Sequence, residues 1–174
     1  MDNLTVSQQA QRRAQDIRAQ DYLAMFKENE GYKPEVYTDT TGNRTIGIGF
    51  NLEDANNKKV LKDMGIDIND VFAGKPLEEK QIIGLYNHSL RQAFSDAQQF
   101  DPGFARRPEP VKKAIVDMAF NLGLTKLNTF EKMKAALGQN DYSRAADEMV
   151  DSKWYKQVKS RGPRTVALMR QAAK

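Results

Sequence analysis

Two carboxylates and a hydroxyl stand close together in the stretch 30–50, EGYKPEVYTDTTGNRTIGIGF: Glu30, Asp39 and Thr45. Leu23, Phe26 and Glu30 follow spacings of three and four, so Glu30 continues the apolar stripe of a helix, and Gly31 supplies the helix stop. A carboxyl turned inward at a helix C-terminus meets the negative end of the macrodipole and is also desolvated, and both effects raise its pKa. Such a group can stay protonated and donate. Asp39 stands ahead of Thr40, Thr41, Gly42 and Asn43, residue types that tolerate turns, and a carboxylate on a polar turn stays ionised. If the segments on either side pair as a hairpin, Asp39 and Thr45 meet at the mouth of the turn. Two carboxyl groups pushed apart in pKa by their surroundings are the equipment of general acid and base at a glycosidic bond. Taken singly, the same residues also fit a solvated helix end and a turn former.

The element that must present them is the run Thr45-Ile-Gly-Ile-Gly-Phe50. Read as one strand over 45–50, it turns Ile46, Ile48 and Phe50 to one face and Thr45, Gly47 and Gly49 to the other. Glycine weakens a strand unless a backbone or ligand must approach closely. The face of Gly47 and Gly49 therefore reads as the floor of a binding cleft.

Composition excludes several chemistries. There is no cysteine, hence no disulfide, thiol nucleophile or Cys-based zinc site, and a single histidine, His88, argues against a multi-histidine metal site. His88 lies in a predicted helix without a GxSxG nucleophile, so Ser/His/Asp chemistry is poorly supported. No run reaches the roughly 20 apolar residues of a membrane span, and the first twenty residues lack the apolar core of a secretory signal. Export would then need a membrane-permeabilising partner or delivery from outside. Charge is uneven: residues 1–100 carry 12 basic and 15 acidic side chains, residues 101–174 carry 15 and 8. The basic C-terminal part suits a polyanion. Nucleic acid is one such partner, but no base-reading motif accompanies the charge, and the anionic bacterial envelope fits equally well.

Around the central stretch the chain reads as mostly helical. Thr5 and Gln8 have capping-box spacing at the head of a helix from about residue 6, which can run on to Glu30 because no Gly or Pro interrupts it. The apolar stripe of its first part, Ala10, Ala14 and Ile17, is thin, and residues 1–20 read as a solvated extension. A short helix is predicted over 54–64. From about 77 to 98, Ile82, Ile83, Tyr86, Leu90, Phe94 and Ala97 describe an amphipathic helix too long for one small lobe, which therefore joins two. Beyond a proline-rich loop at 100–110, Val111, Ala114, Ile115, Met118, Ala119 and Leu122 mark a core helix ending at Gly123. Asn128 and Glu131 suggest a capping box for the next helix. Further helices follow from Asp141, from Ser152 through Trp154 and Tyr155 as core residues, and from Gly162-Pro163.

With these residues in hand, the chain resembles the phage-type lysozymes over about residues 21–174. The resemblance is carried by Glu30-Gly31 followed by Tyr37-x-Asp39-x-x-Gly42-x-x-Thr45-Ile-Gly-Ile-Gly49, by Ala119-Phe120-Asn121-x-Gly123, and by Ser152-x-Trp154-Tyr155 with Arg161-x-x-Arg164. It implies an α+β, predominantly helical, two-lobed fold: a sheet lobe over about 32–76, a linking helix over about 77–98, and a helical lobe over about 99–174 that also takes the helix ending at 30. It implies cleavage of the β-1,4 bond between N-acetylmuramic acid and N-acetylglucosamine in peptidoglycan, without cofactor or metal. Glu30 matches the family's general acid, and Asp39 and Thr45 the pair that holds the attacking water, for an inverting displacement. Gly47, Gly49, Phe120, Asn121 and Gly123 match positions facing bound sugar. Arg161 matches an arginine that pairs with the catalytic glutamate, which would lower the pKa that burial and the helix dipole raise. An ordinary helix role for Asn121 and a core role for Phe120 stay open. Phe50 and Ser89 stand where the family often carries a histidine and an acidic partner.

Three readings follow. The first is a muramidase, monomeric or part of a larger virion protein, acting in lysis or in wall penetration. The second, a lytic transglycosylase, closes an anhydro ring instead of adding water, and the presence of both Asp39 and Thr45 argues for water. The third, a non-catalytic wall-binding module, has no use for the full set of three.

Overall fold

Thr5 and Gln8 close the capping box expected of them, each side chain bonding the other's backbone amide at 3.2 and 2.9 Å. They start α1, Val6–Glu30, which runs without a break to Gly31, whose φ of +80° ends it. The computed structural model describes residues 3–173; Met1, Asp2 and Lys174, at the ends of the expected extension and helical lobe, lie outside the described residues. The inward face of α1 corrects the sequence reading. Ile17 is 67% exposed and Ala10 and Ala14 lie in solvent, while the inward row is Asp16, Ala19, Tyr22, Phe26 and then Glu30. An ion pair, Arg91 to Asp16 at 2.7 Å, and the Tyr86 hydroxyl donating to the Ala19 carbonyl at 2.8 Å hold that row, which is why an apolar count missed it.

The hairpin forms, but its second arm is not one strand. β1, Lys33–Thr38, pairs antiparallel with β2, Arg44–Gly47, which pairs in turn with β3, Phe50–Asn51, in a sheet of order β1-β2-β3. The chain reverses at Ile48 and Gly49, so Ile46 lies across from Phe50 and Thr45 from Asn51. The expected alternation over 45–50 therefore fails: Gly47 and Gly49 have φ of +67° and +64°, which place them in a tight reversal open to few other residues. Ile46, Ile48 and Phe50 are buried as expected.

Helices α2, Ala55–Asp63, and α3, Ile68–Phe72, follow, capped by Asp54 and Asp67; α3 has too few residues to show a period and escaped the sequence reading. The Leu77 amide donates to the Pro34 carbonyl at 2.9 Å and ties this segment to β1. Next comes α4, Glu79–Phe100. Two compact units are formed by Met1–Arg91 and Gln92–Lys174, and α4 contributes residues to both.

In the second unit a 3-10 turn, Phe104–Arg106, occupies the proline-rich loop. It is locked by Arg107, which donates to both carboxylate oxygens of Asp101 at 2.7 and 2.8 Å. Helix α5, Glu109–Leu127, buries Val111, Ala114, Ile115, Val116, Met118 and Ala119 and kinks at Gly123, φ +75°. The expected capping box at Asn128 does not form: Asn128 caps the C-terminus of α5, and α6, Glu131–Gly138, begins at Phe130 with no side-chain cap. Then come α7, Tyr142–Val150, α8, Lys153–Gln157, and α9, Arg161–Gln171. Trp154 is core, as expected, and Tyr155 is half-buried. The result is a predominantly helical α+β fold with a small antiparallel sheet.

Candidate active site

Within the first unit, Glu30 ends α1 half-buried against the β2–β3 reversal. A Cβ on Gly49 would lie 2.5 Å from Glu30 Oε2 and 2.8 Å from its carboxyl carbon, and a Cβ on Gly47 would lie 3.3 Å from Ile82 Cγ2. These two glycines were expected to form a bare floor. Instead the reversal gives the space above Gly49 to the glutamate and that above Gly47 to Ile82. Glycine is required at 49 twice over, by its φ and by the carboxyl that takes the place of a side chain.

Asp39 opens the loop between β1 and β2. Its Oδ1 accepts three hydrogen bonds, from the Thr41 amide at 2.9 Å, the Thr41 hydroxyl at 2.7 Å and the Asn43 amide at 2.9 Å. Its own amide donates to the Asn43 carbonyl at 2.8 Å. Slight burial pushes the Asp39 carboxyl up, but these donors, together with the Gly42 amide, outweigh it and hold the pKa below the ordinary value. Oδ2 makes no hydrogen bond among the described residues. Thr45, 3% exposed, donates its hydroxyl to the Asn43 carbonyl at 3.1 Å, so its oxygen keeps lone pairs for a further donor. One loop residue, Asn43, thus orients both expected partners.

Glu30 and Asp39 meet electrostatically at Tyr37. The phenol pKa is raised by burial first, then by Glu30, then by Asp39. Tyr37 is the register partner of Thr45. The sequence reading quoted Tyr37 but gave it no role; closing the hairpin at 39–43 puts 37 opposite 45, and that signal was present.

The other expected residues lie in the second unit. Phe120 is half-buried and Asn121 exposed; Asn121 Oδ1 accepts from the Trp154 indole at 3.1 Å. Phe130 packs edge-on against Trp154, centroids 6.4 Å apart. A Cβ on Gly123 would meet nothing within 4 Å, so this glycine answers to backbone conformation and not to space. Arg161, 5% exposed, binds Asp117 through Nη2 to Oδ1 at 2.7 Å and Nε to Oδ2 at 3.1 Å, and reaches the Asp117 carbonyl at 3.3 Å. The Thr165 hydroxyl lies 2.8 Å from Asp117 Oδ2. Asp117 escaped the sequence reading, although a lone acid among Ala114, Ile115, Met118 and Ala119 was its signal: a carboxylate on an apolar face needs a cation.

A carboxyl seated on a helix end beside a hairpin that holds an ionised carboxylate and a buried hydroxyl can do acid/base chemistry at a glycosidic bond. The sequence matches the phage lysozyme family over residues 27–174, and the chain belongs to that family. It is thereby a lysozyme-type peptidoglycan hydrolase. It is 25% identical over 153 residues to a probable T4-type lysozyme 2 of Dictyostelium discoideum, covering 83% of this chain and 90% of that protein. A probable T4-type lysozyme 1 of the same organism is 26% identical over 155 residues, with 83% and 91% covered. The pre-baseplate central spike protein Gp5 of Enterobacteria phage T4 is 28% identical over 158 residues, 83% of this chain but 27% of the spike protein.

Proposed function

We propose that residues 21–174 form a muramidase domain that hydrolyses the β-1,4 bond between N-acetylmuramic acid and N-acetylglucosamine with inversion. Glu30 protonates the leaving oxygen. Asp39 Oδ2 and the Thr45 oxygen accept the two hydrogens of a water, which turns its lone pair toward the sugar carbon; as the bond forms, the water's proton passes to Asp39. The carrying observation is the anchoring of Asp39: three donors on Oδ1 keep it ionised and leave Oδ2 to the water. Gly49 serves by making room for Glu30, and Gly47 by the turn that places it. On the second unit Phe120, Asn121, Gly123 and Arg161 are assigned to glycan contact, Arg161 held in place by Asp117.

Glu30→Gln is expected to lower turnover on peptidoglycan by about a thousandfold, within the usual range for a general acid, with an unchanged melting temperature. Retained turnover would remove the acid role. Mass analysis of the digest checks the water: reducing muramic ends with inverted anomeric configuration are expected, whereas anhydro-muramyl ends mean ring closure and overturn the hydrolytic step. The similarity to a spike protein supports delivery of this activity within a virion, and the chain's detection in purified particles tests that route.

A further inference from the structure

Tyr37 stands directly across the ladder from Thr45 and two residues ahead of Asp39. Antiparallel partners carry their Cβ atoms about 5 Å apart on one face, so the phenol shares the face of the Thr45 hydroxyl. It is half-buried, and its own hydroxyl makes no hydrogen bond among the described residues. That hydroxyl is not among the buried unpaired polar atoms of the described residues, so it is open to solvent and can donate to a ligand that displaces water there.

The strand is irregular just before this residue. Between the pair Lys33 with Gly47 and the pair Tyr37 with Thr45 the register shifts, four steps along β1 against two along β2. Bulges re-aim side chains beside functional sites. This one stands between Lys33 and Tyr37, and the Lys33 ammonium lies over the Tyr37 ring, 4.2 Å from its centroid. A cation on a ring face restrains the ring without consuming the hydroxyl. Burial and the two nearby carboxylates oppose ionisation, so the phenol keeps its proton throughout the neutral range.

We propose that Tyr37 is a substrate-positioning residue whose hydroxyl donates to an oxygen of the sugar bound at Glu30 and Asp39, and that Lys33 positions Tyr37 by clamping its ring. The inference rests on the muramidase reading and adds to it a contact from the strand itself.

The test compares the full chain with Tyr37→Phe on soluble peptidoglycan fragments. Loss of one neutral hydrogen bond to the substrate is expected to raise KM about five- to tenfold while kcat stays within about twofold. The melting temperature should not move. Lys33→Met should raise KM by about two- to threefold and Lys33→Arg should restore it, because only a cation clamps the ring. In the Glu30→Gln background, Tyr37→Phe should weaken fragment binding by the same factor as it raises KM. An active chain in which Tyr37→Phe leaves both KM and binding unchanged overturns this inference alone. A parent chain inactive on peptidoglycan overturns the muramidase reading and this inference with it.

Discussion

Asp39 in the first unit and Asp117 in the second are both carboxylates held by several donors, and their surroundings make opposite things of them. Asp117 is fully buried and saturated: Arg161 takes both of its oxygens and Thr165 shares one. Asp101 in the same unit, 2% exposed, is gripped in the same way by Arg107. Charges so enclosed fix the packing of helices and loops, and their oxygens are taken up by their partners. Asp39 is held on one oxygen only, by a hydroxyl and two amides of its own loop. It stays ionised at little cost in stability and keeps a face for chemistry. On the proposed mechanism, what suits a carboxylate to react is how many of its lone pairs the fold leaves unspent, and not burial alone.

The sharpest way to break the comparison is to remove the enclosed acid. Asp117→Ala removes the buried carboxylate that binds the Arg161 guanidinium through two of its nitrogens, and loss of one partner of a buried pair costs about 3–5 kcal/mol, roughly 10 °C in melting temperature for a chain of this size. A shift below about 2 °C in a thermal scan would show that Asp117 is not the structural anchor described here.

Gly49→Ala tests the opposite end. A Cβ there meets the Glu30 carboxyl in a backbone region that alanine adopts with strain, a cost of about 1–3 kcal/mol. Specific activity should fall about tenfold or more as the acid is displaced, since misplacement of a reacting group by an ångström costs on that order or beyond. Unaltered activity would mean that Glu30 has another workable seat.

The smallest effect sharpens the rule. Asp96 is buried with, among the described residues, a single side-chain donor, Gln92 at 2.9 Å, and no arginine on its carboxylate. Burial raises its pKa, with the Gln92 bond opposing. A carboxyl raised on folding contributes stability that is present below its unfolded value, near 4, and is lost as pH rises through the folded one. Asp96→Asn should therefore raise the melting temperature at pH 7 by a small amount and leave it unchanged near pH 3. Asp39 has the reverse sign: its lowered pKa gives stability above about pH 4 that is lost on acidification. A gain for Asp96→Asn that persists at pH 3 would not come from titration.

Much of the molecule was legible in the residues themselves. Capping pairs, glycine stops and three- or four-residue spacings placed α1, α4, α5 and α9, because these signals act between near neighbours in the chain. Glu30, Asp39 and Thr45 stood out for the same reason, as residues within one hairpin and its leading helix.

Tertiary structure decided what local rules leave open. The inward face of α1 is set by Arg91 and Tyr86, more than sixty residues away. The strand expected over 45–50 became a reversal because Gly47 and Gly49 could take left-handed angles, and the seat it makes for Glu30 favours their doing so. Asp117 and Arg161, separated by 44 positions, have no sequence signature as a pair. The sequence alone determined which groups could act and which helices carry them. How the Asp117 lone pairs are spent was decided only on folding, since a hydrogen bond to a residue 44 or 48 positions away exists only once the chain has brought its partner there.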